Sequence, residues 1–440
     1  MPEVIRQFSK VFTENGYCLY VVGGAVRDWL LGIKNSDYDF CTDAMPEDVV
    51  NMFRHVVPTG IKHGTVTVLY CGNSFEVTTF RCETSYSDKR HPDNVRFVSS
   101  LQEDLSRRDF TVNAFAADCS TGEMIDLFNG IKDLESKTIR AIGNAHERFS
   151  EDALRLMRMC RFAAKLDFKV DEDTFNAAKD LASAIKYVSQ ERIFDELDKT
   201  LSYKVPSIGI NLMSETGLLD YVLPELSCCR EIKQDKVGSD NVYRHIINSV
   251  DAAACHNYSN TVRWALLLHD TGKPACMKKS GDFVRFYGHD VQGAVIAREV
   301  LTRLKCSNKM TDTICLLIAN HMVRYTDNWT DGAVKRFINR VGLENINMLF
   351  EVQWCDQIAS EGVSKHEQYA PFIERIKNLS SEPLTVKDLA VNGNDLADAG
   401  IPRGKQMGEI LEYLLEMVID YPSLNDKETL LKQARLHMQA

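Results

Sequence analysis

Residues 21–40 read VVGGAVRDWLLGIKNSDYDF, and this stretch decides the fold of the N-terminal part. An apolar, β-branched run enters Gly23-Gly24 and an amphipathic helix starts at once, the order strand, turn, helix. Glycine at such a turn lets the backbone approach an anion closely, with the N–H groups of the helix start pointing at it. Alone, a Gly-Gly turn is only a tight connection. Shortly after it, SDYDF sets Asp37 and Asp39 two apart, so on a strand both carboxylates leave the same face. Like charges side by side are costly, and a bound divalent cation is the usual reason to tolerate them.

Working outward, FEVTTF (75–80) is another strand-like run and offers Glu76 as a third carboxylate from a neighbouring strand. Three carboxylates on two strands can hold two Mg²⁺ ions about 3.5–4 Å apart. One would activate an attacking hydroxyl and the other would neutralise a leaving pyrophosphate. Further β-like runs, CLYVV, TVTVLYC and VRFV, fill the region up to about residue 130. From Ala145 onward, helical periodicity dominates, as in SEDALRLMRMCRFAAKL and GEILEYLLEMVI. The expected fold class is therefore α+β, a mixed-sheet head followed by an all-α remainder. Breaks fall near 140, near 225–240 (the polar stretch EIKQDKVGSDN) and near 360–382. They suggest segments 1–140, 141–225, 226–365 and 366–440.

The whole chain has 440 residues, 44% hydrophobic and 26% charged, with a formal net charge of −10. Two to four domains suit that length. The acidic balance argues mildly against a nucleic-acid partner, although binding answers to local fields and not to the sum. Thirteen cysteines without a C-x-x-C pair read as reduced thiols of a cytoplasmic protein. The N-terminus MPEVIRQFSKVF has no signal-peptide core, and no run is long enough to span a membrane. No residue pattern indicates a particular oligomeric state.

Two more clusters carry chemistry. In RRDFTVNA, Arg108 beside Asp109 could recognise a ribose hydroxyl, which both donates and accepts. In SEDALRLMR, Ser150 is a plausible helix N-cap, and Glu151 and Asp152 suit a first turn. Asp152 and Arg155, three apart, would then share a helix face. A carboxylate accepting from an exocyclic amine, next to a guanidinium donating to a ring nitrogen, fits cytosine and adenine. Guanine and uracil have the opposite polarity and would leave buried groups unpaired. Arg158, one turn on, could shape the same pocket.

Taken in order, GGAVRDWLLG, SDYDF, IKHGTVTV, FEVTTFR, RRDFTVNAFA and EDALRLMRMCRF resemble the motifs of bacterial-type, class II CCA-adding tRNA nucleotidyltransferases of the polymerase-β superfamily. The likeness is dense from about residue 20 to 200 and weaker towards the C-terminus. It implies a polymerase-β-like head, a helical neck and template-independent addition of C, C and A to tRNA from CTP and ATP. It implies Mg²⁺ held by Asp37 and Asp39, with Glu76 as third carboxylate. Gly23, Gly24 and Arg27 match the triphosphate motif, Arg108 and Asp109 the ribose and phosphate ligands. Glu151, Asp152 and Arg155 match the nucleotide-selecting motif. ETSYSDKRHPDNV (83–95) stands where the family carries a flexible loop that CC-only relatives lack. The turn-rich stretch 389–419 is similar to the tail that grips the tRNA elbow.

Five of the eleven histidines lie between residues 245 and 321. VYRHIINSV, LLLHDTGK, FYGHD and LIANHMV supply His245, His269-Asp270, His289 and His321, and QWCDQIA adds Asp356, with Asp290 as the rival carboxylate. Imidazoles with carboxylates suit Mg²⁺, Mn²⁺, Ni²⁺ or Fe²⁺. The pattern resembles the HD-domain phosphohydrolases, which implies one or two metals and phosphoester hydrolysis. Alternative readings are an A-adding enzyme, a poly(A) polymerase, or a protein that is chiefly an HD phosphohydrolase or a nucleotide-binding protein.

Overall fold

The computed structural model describes residues 1–440 apart from 35–36, 85–93, 99, 237, 281–282, 364–365 and 440. The chain folds as two compact units, Met1–Ser227 and Cys228–Ala440.

In the first unit the expected α+β architecture is present. Strands β1 (Leu19–Val22), β2 (Asp39–Thr42), β3 (Val56–Gly60), β4 (Thr65–Tyr70) and β5 (Asn73–Thr79) are followed by the hairpin β6 (Arg81–Thr84) and β7 (Asn94–Phe97). Then come β8 (Phe115–Asp118) and β9 (Met124–Asp126). The main sheet has seven strands in the order β3-β4-β5-β2-β1-β8-β9. Its parallel pair is β2–β5, in a register that sets Asp39 opposite Glu76.

Side-chain alternation decides which face becomes core. Phe75 and Val77 on β5 and Phe40 on β2 are buried, while Glu76 and Asp39 point the other way and stay accessible. The buried face is covered by the Glu3–Glu14 helix, whose Ile5, Phe8 and Phe12 recur at helical spacing. Phe8 meets the Phe75 ring at 4.8 Å and the Phe40 ring edge-on at 5.4 Å. Each such ring, fully buried, contributes about 1.5–3 kcal/mol. The N-terminal segment is thus a core helix of the head.

After the sheet come the helices Ala145–Glu151, Leu154–Leu166, Glu172–Asp180, Gln190–Leu201 and Pro206–Glu215. One expectation is corrected here: no helix starts at Ser150. Asn144 is the N-cap, its side chain accepting from the Glu147 N–H, and Ser150 lies inside the first helix. Asp152 is extended (φ −139°, ψ 105°) and its carboxylate accepts the Leu154 N–H at 3.0 Å. That local bond competes with the helix and splits it in two. The short parallel pair β10 (Thr138–Ile139) and β11 (Lys169–Val170) joins a region read as wholly helical.

Among its described residues the second unit is helical apart from two hairpins, β12 (Lys233–Lys236) with β13 (Ser239–Asn241), and β14 (Lys278–Ser280) with β15 (Phe283–Arg285). Helices Val242–Cys255, Asn260–Leu268, His289–Arg303, Asn308–Asn320 and Leu343–Glu361 form its bundle. Asn241, Ser259 and Ser307 cap three of them through their side chains. The turn-rich stretch 389–419 forms two helices, Gly393–Asp398 and Lys405–Asp420. Gly400 and Gly404 between them take positive φ, which favours glycine, whereas Gly408 lies inside the second helix. Among the described residues, no helix is long and apolar enough to cross a membrane.

Candidate active site and metal centre

The first site lies in the first unit, where the Gly23-Gly24 turn meets the end of β2. Gly23 has φ +70°, a backbone conformation that favours glycine, and a Cβ there would also push aside Arg108 Nη1, 2.9 Å away. Asp39 opens β2, while Asp37 precedes the strand, so the shared-strand expectation holds for Asp39 alone. The three carboxylates still act on one another. Enclosure by the cleft and the charge on Asp37 raise the Asp39 pKa, and enclosure with Asp39 and Asp37 raises that of Glu76. A divalent cation relieves that repulsion, so the donor set suits Mg²⁺.

A cleft of about 800 Å³ opens beside them, lined by ten arginines and lysines against four aspartates. This local excess of positive charge answers the objection raised by the acidic net charge. Gly23, Gly24, Asp37, Asp39, Arg108, Asp109, Asp152, Arg155 and Arg158 all line it, and Glu76 does not.

Several expected residues have partners that spacing did not foretell. Arg27 lines the cleft, yet it is 1% exposed, with Nε and Nη2 donating to Asp28 Oδ1 at 2.9 and 2.6 Å and Nη1 to Asn113 Oδ1 at 2.5 Å. It fastens the helix after the Gly-Gly turn to the turn before β8. Arg108 and Asp109 do not pair with each other. Arg108 lies near the buried Asp104 (3.5 Å), whereas Asp109 receives Arg158 Nη2 and Nε at 2.6 and 2.7 Å. Burial alone would raise the Asp109 pKa, but Arg158, Asn113 and the Phe110 N–H hold it below the usual carboxylate value.

A depressed carboxylate pKa contributes stability above the unfolded value, lost as pH falls through the folded one. Arg158→Met is therefore expected to destabilise the head by about 2–3 kcal/mol, below the fully buried range because water reaches Arg158. Urea unfolding at pH 7 and near pH 3 checks this: the difference from wild type should shrink in acid.

Asp152 and Arg155 both line the cleft, joined through the backbone by the Arg155 N–H donating to the Asp152 carbonyl at 3.0 Å, while their side chains take different partners. Asp152 accepts from Arg192 Nη2 at 2.8 Å. Arg155 donates to Glu151 at 2.6 Å and to the carbonyls of Arg148 and Arg107 at 2.8 Å each. These bonds use three of the five guanidinium N–H groups. Each side chain keeps hydrogen-bonding capacity for a base edge. The loop 83–95 falls largely outside the described residues; its base, β6–β7, is anchored where Asp104 accepts the Arg81 N–H at 3.4 Å.

Sequence reasoning missed Asp104, Arg107 and Arg192. The first two could have been read from the helical i,i+3 and i,i+4 spacing of Asp104 to Arg107 and Arg108. Arg192 gave no local signal, standing 40 residues from its partner.

The second site is in the second unit, where helix termini converge. His245 Nε2 lies 2.9 Å from Asp356 Oδ1 and 3.3 Å from His269 Nε2. Asp270 offers Oδ2 to His245 and His269 at 3.4 and 3.3 Å, and Oδ1 to His289 at 3.3 Å. Two ligand groups result, His245–His269–Asp270 and Asp270–His289–His321, which share Asp270. Asp356 joins them; among the described residues, Asp290 belongs to neither ligand group.

All six side chains are buried. His269, His289 and His321 have Nδ1 at 2.7, 2.7 and 2.6 Å from the carbonyls of Leu266, Phe286 and Ile318. A carbonyl only accepts, so Nδ1 carries a proton and each ring turns Nε2 towards the cluster, the orientation in which a metal can take the Nε2 lone pair. Gln353 holds the end of the Asn308–Asn320 helix by donating to the His321 and Val323 carbonyls at 3.2 and 2.8 Å. Burial opposes charge on His269, but Asp270 and Asp356 raise its pKa to about 9. Burial and the charge on His269 push His321 down to about 4. Against burial, His269 and Lys273 hold Asp270 far below the usual carboxylate range, and His245 and His269 do so for Asp356. So expensive a buried set fits one or two divalent metals.

Comparison with known proteins matches residues 19–140 to the Poly A polymerase head domain and 167–229 to the "Probable RNA and SrmB-binding site of polymerase A". Residues 290–434 match tRNA nucleotidyltransferase domain 2. The chain is 35% identical to a CCA-adding enzyme of Ligilactobacillus salivarius over 96% of its own length and 93% of that protein's. For a CCA-adding enzyme of Enterococcus faecalis the values are 34%, 99% and 97%. The crystal structure of the Bacillus stearothermophilus CCA-adding enzyme in complex with CTP superposes with a TM-score of 0.75 at 31% identity, covering both chains fully. With relatives this similar along nearly its whole length, the chain belongs to the family of CCA-adding enzymes.

Proposed function

We propose that the chain completes the 3′ end of tRNA, adding C, C and A from CTP and ATP without a template. The observation that carries this reading is the in-register pair Asp39–Glu76 at the end of the Gly23-Gly24 turn, beside a basic cleft. Family membership supplies the substrates. Asp37, Asp39 and Glu76 would hold Mg²⁺, whose chemistry when bound is to activate the attacking 3′-hydroxyl and stabilise the departing pyrophosphate. The chain's own side chains do the rest. Gly23 and Gly24 let backbone N–H groups reach the triphosphate, and Arg108 faces it across Gly23. Asp109, fixed by Arg158, lies beneath the ribose, while Arg27 braces the turn. Asp152 and Arg155 read the base edge, with Arg192 holding the Asp152 carboxylate.

In this reading residues 1–140 are the head, 141–225 the neck and 366–440 the tRNA-binding tail, and the chain works in the cytoplasm. The test is a panel of tRNAs ending at the discriminator base, at C and at CC, each given CTP and ATP. All three should finish at CCA. Extension of the CC species alone would mean an A-adding enzyme, and long A tails a poly(A) polymerase.

A second reading concerns residues 226–365, where the six converged ligands support a metal-dependent phosphohydrolase centre. Mg²⁺, Mn²⁺, Ni²⁺ and Fe²⁺ all suit its donors, and tRNA ends or nucleotides would be its substrates. His269→Ala is expected to abolish Mn²⁺ binding here, measured by calorimetry in the Asp39→Asn background, and to leave CCA addition by the otherwise native chain within about twofold. Unchanged Mn²⁺ uptake would remove this reading.

A further inference from the structure

Strand β12 runs past the second centre, and neither activity accounts for two of its side chains. Gln234 and Lys236 are two apart, and both side chains reach the centre. Gln234 accepts from Lys273 Nζ at 3.1 Å, and Lys273 in turn lies 2.5 Å from Asp270 Oδ2. Lys273 is thus fixed between two partners and buried. Lys236 is placed differently. Its Nζ stands 3.1 Å from His245 Nε2 and 3.7 Å from Asp356 Oδ1, with about a quarter of the side chain exposed. These two atoms also bring His245 and Asp356 together, 2.9 Å apart.

A lone pair serves one partner at a time. With its proton on Nδ1, His245 offers the Nε2 lone pair to the Lys236 ammonium, and a metal bound there at the usual ~2.0–2.2 Å would need that same lone pair. The charges agree. The two carboxylates of the ligand set are matched by two ammoniums, Lys236 and Lys273. Divalent metal, even after it displaces the proton that His269 holds, leaves the pocket with a positive excess, and Arg324, half exposed with Nη2 at 4.0 Å from Asp356, adds to it. A cationic pocket of this kind attracts a phosphoryl group, and a lysine on a flexible stem binds phosphate as a mobile point charge.

We propose that Lys236 is an exchangeable counter-ion of this centre: its ammonium neutralises Asp356 and occupies His245 Nε2 until a divalent metal enters, and then binds a non-bridging oxygen of the phosphoryl group presented to the metal. The inference rests on the phosphohydrolase reading of the same residues. It makes Lys236 a competitor of the metal and a ligand of the substrate, so one substitution moves the two affinities in opposite directions.

The experiment uses the full-length chain in the Asp39→Asn background, which keeps the head from contributing metal sites. Mn²⁺ binding is followed by the free-ion electron paramagnetic resonance signal. Inorganic phosphate is followed by the broadening of its phosphorus resonance by bound Mn²⁺. Lys236→Met is expected to bind Mn²⁺ about tenfold or more tightly than its parent, because a competing cation is gone. The Mn²⁺-loaded variant should bind phosphate about tenfold or more weakly. Lys236→Arg, which keeps the charge, should stay near the parent in both. Equal or weaker Mn²⁺ binding by Lys236→Met, or unchanged phosphate binding, overturns the proposal and leaves the metal centre standing. Lys236→Arg behaving as Lys236→Met would also overturn it, since charge would not be the agent. If the parent binds no Mn²⁺ that His269→Ala removes, the phosphohydrolase reading falls and takes the proposal with it.

Discussion

Asp39→Asn is expected to lower nucleotide addition on the order of 10³-fold or more, and at the same time to raise the thermal midpoint of the protein without added metal. The loss follows from position. Asp39 is directly opposite Glu76 in the parallel pair and next to Asp37, so it belongs to any metal that either could share. The gain follows from charge. Its folded pKa is raised by enclosure and by Asp37, so the ionised carboxylate is less favourable in the folded chain than in the unfolded one. That penalty is present above the raised pKa and fades as pH falls through it. Asparagine removes the charge and keeps the shape. The stability difference should therefore be largest at neutral pH and shrink in acid, and Mg²⁺ should raise the midpoint of wild type more than that of the variant. Differential scanning fluorimetry between pH 4 and 8, with and without Mg²⁺, checks both signs. A less stable variant at pH 7 would contradict the account of this site as a repulsive carboxylate cluster.

Asp152→Asn is expected to reduce the preference for CTP over UTP by on the order of 10²–10³-fold, read as the ratio of kcat/KM values on a tRNA lacking CCA. The carboxylate can only accept, as the exocyclic amines of cytosine and adenine require. An asparagine amide can rotate to donate, and so tolerates the opposite polarity of uracil. The fold should survive, because the asparagine oxygen can still accept the Leu154 N–H that Oδ1 accepts, and only the bond from Arg192 to Oδ2 is given up. Arg192→Ala should shift selectivity in the same direction by less, since it frees the Asp152 carboxylate without changing its polarity. Unchanged CTP preference in Asp152→Asn would mean that the base is read elsewhere.

The parts of the site legible in the sequence are those set by local geometry. Period-two alternation sends Glu76 away from Phe75 and Val77, and the Gly23-Gly24 turn follows from an apolar strand running into a helix. The histidines were legible because each sits at or near a helix terminus, with an apolar stretch to place it. Other features depend on chain segments far apart. Asp109 finds Arg158, and Asp152 finds Arg192, across 49 and 40 residues. Nothing in the spacing of either partner encodes that meeting. The helix break at Asp152 was lost for a related reason. Acids ahead of an apolar run look like a first turn, and only the structure shows that Asn144 caps a helix already under way. Lys236 is an ordinary lysine in a polar stretch until the fold of β12 brings it to His245.

Staged addition tests the central claim most directly. A tRNA ending at the discriminator base is incubated with Mg²⁺ and CTP alone, and ATP is added once extension stops, with products resolved to single nucleotides. The account predicts two additions and a halt with CTP, then one further addition with ATP. It also predicts no extension by the Asp39→Asn variant in either stage. Extension by ATP alone, continued growth beyond the third nucleotide, or full activity in the Asp39→Asn variant would contradict it.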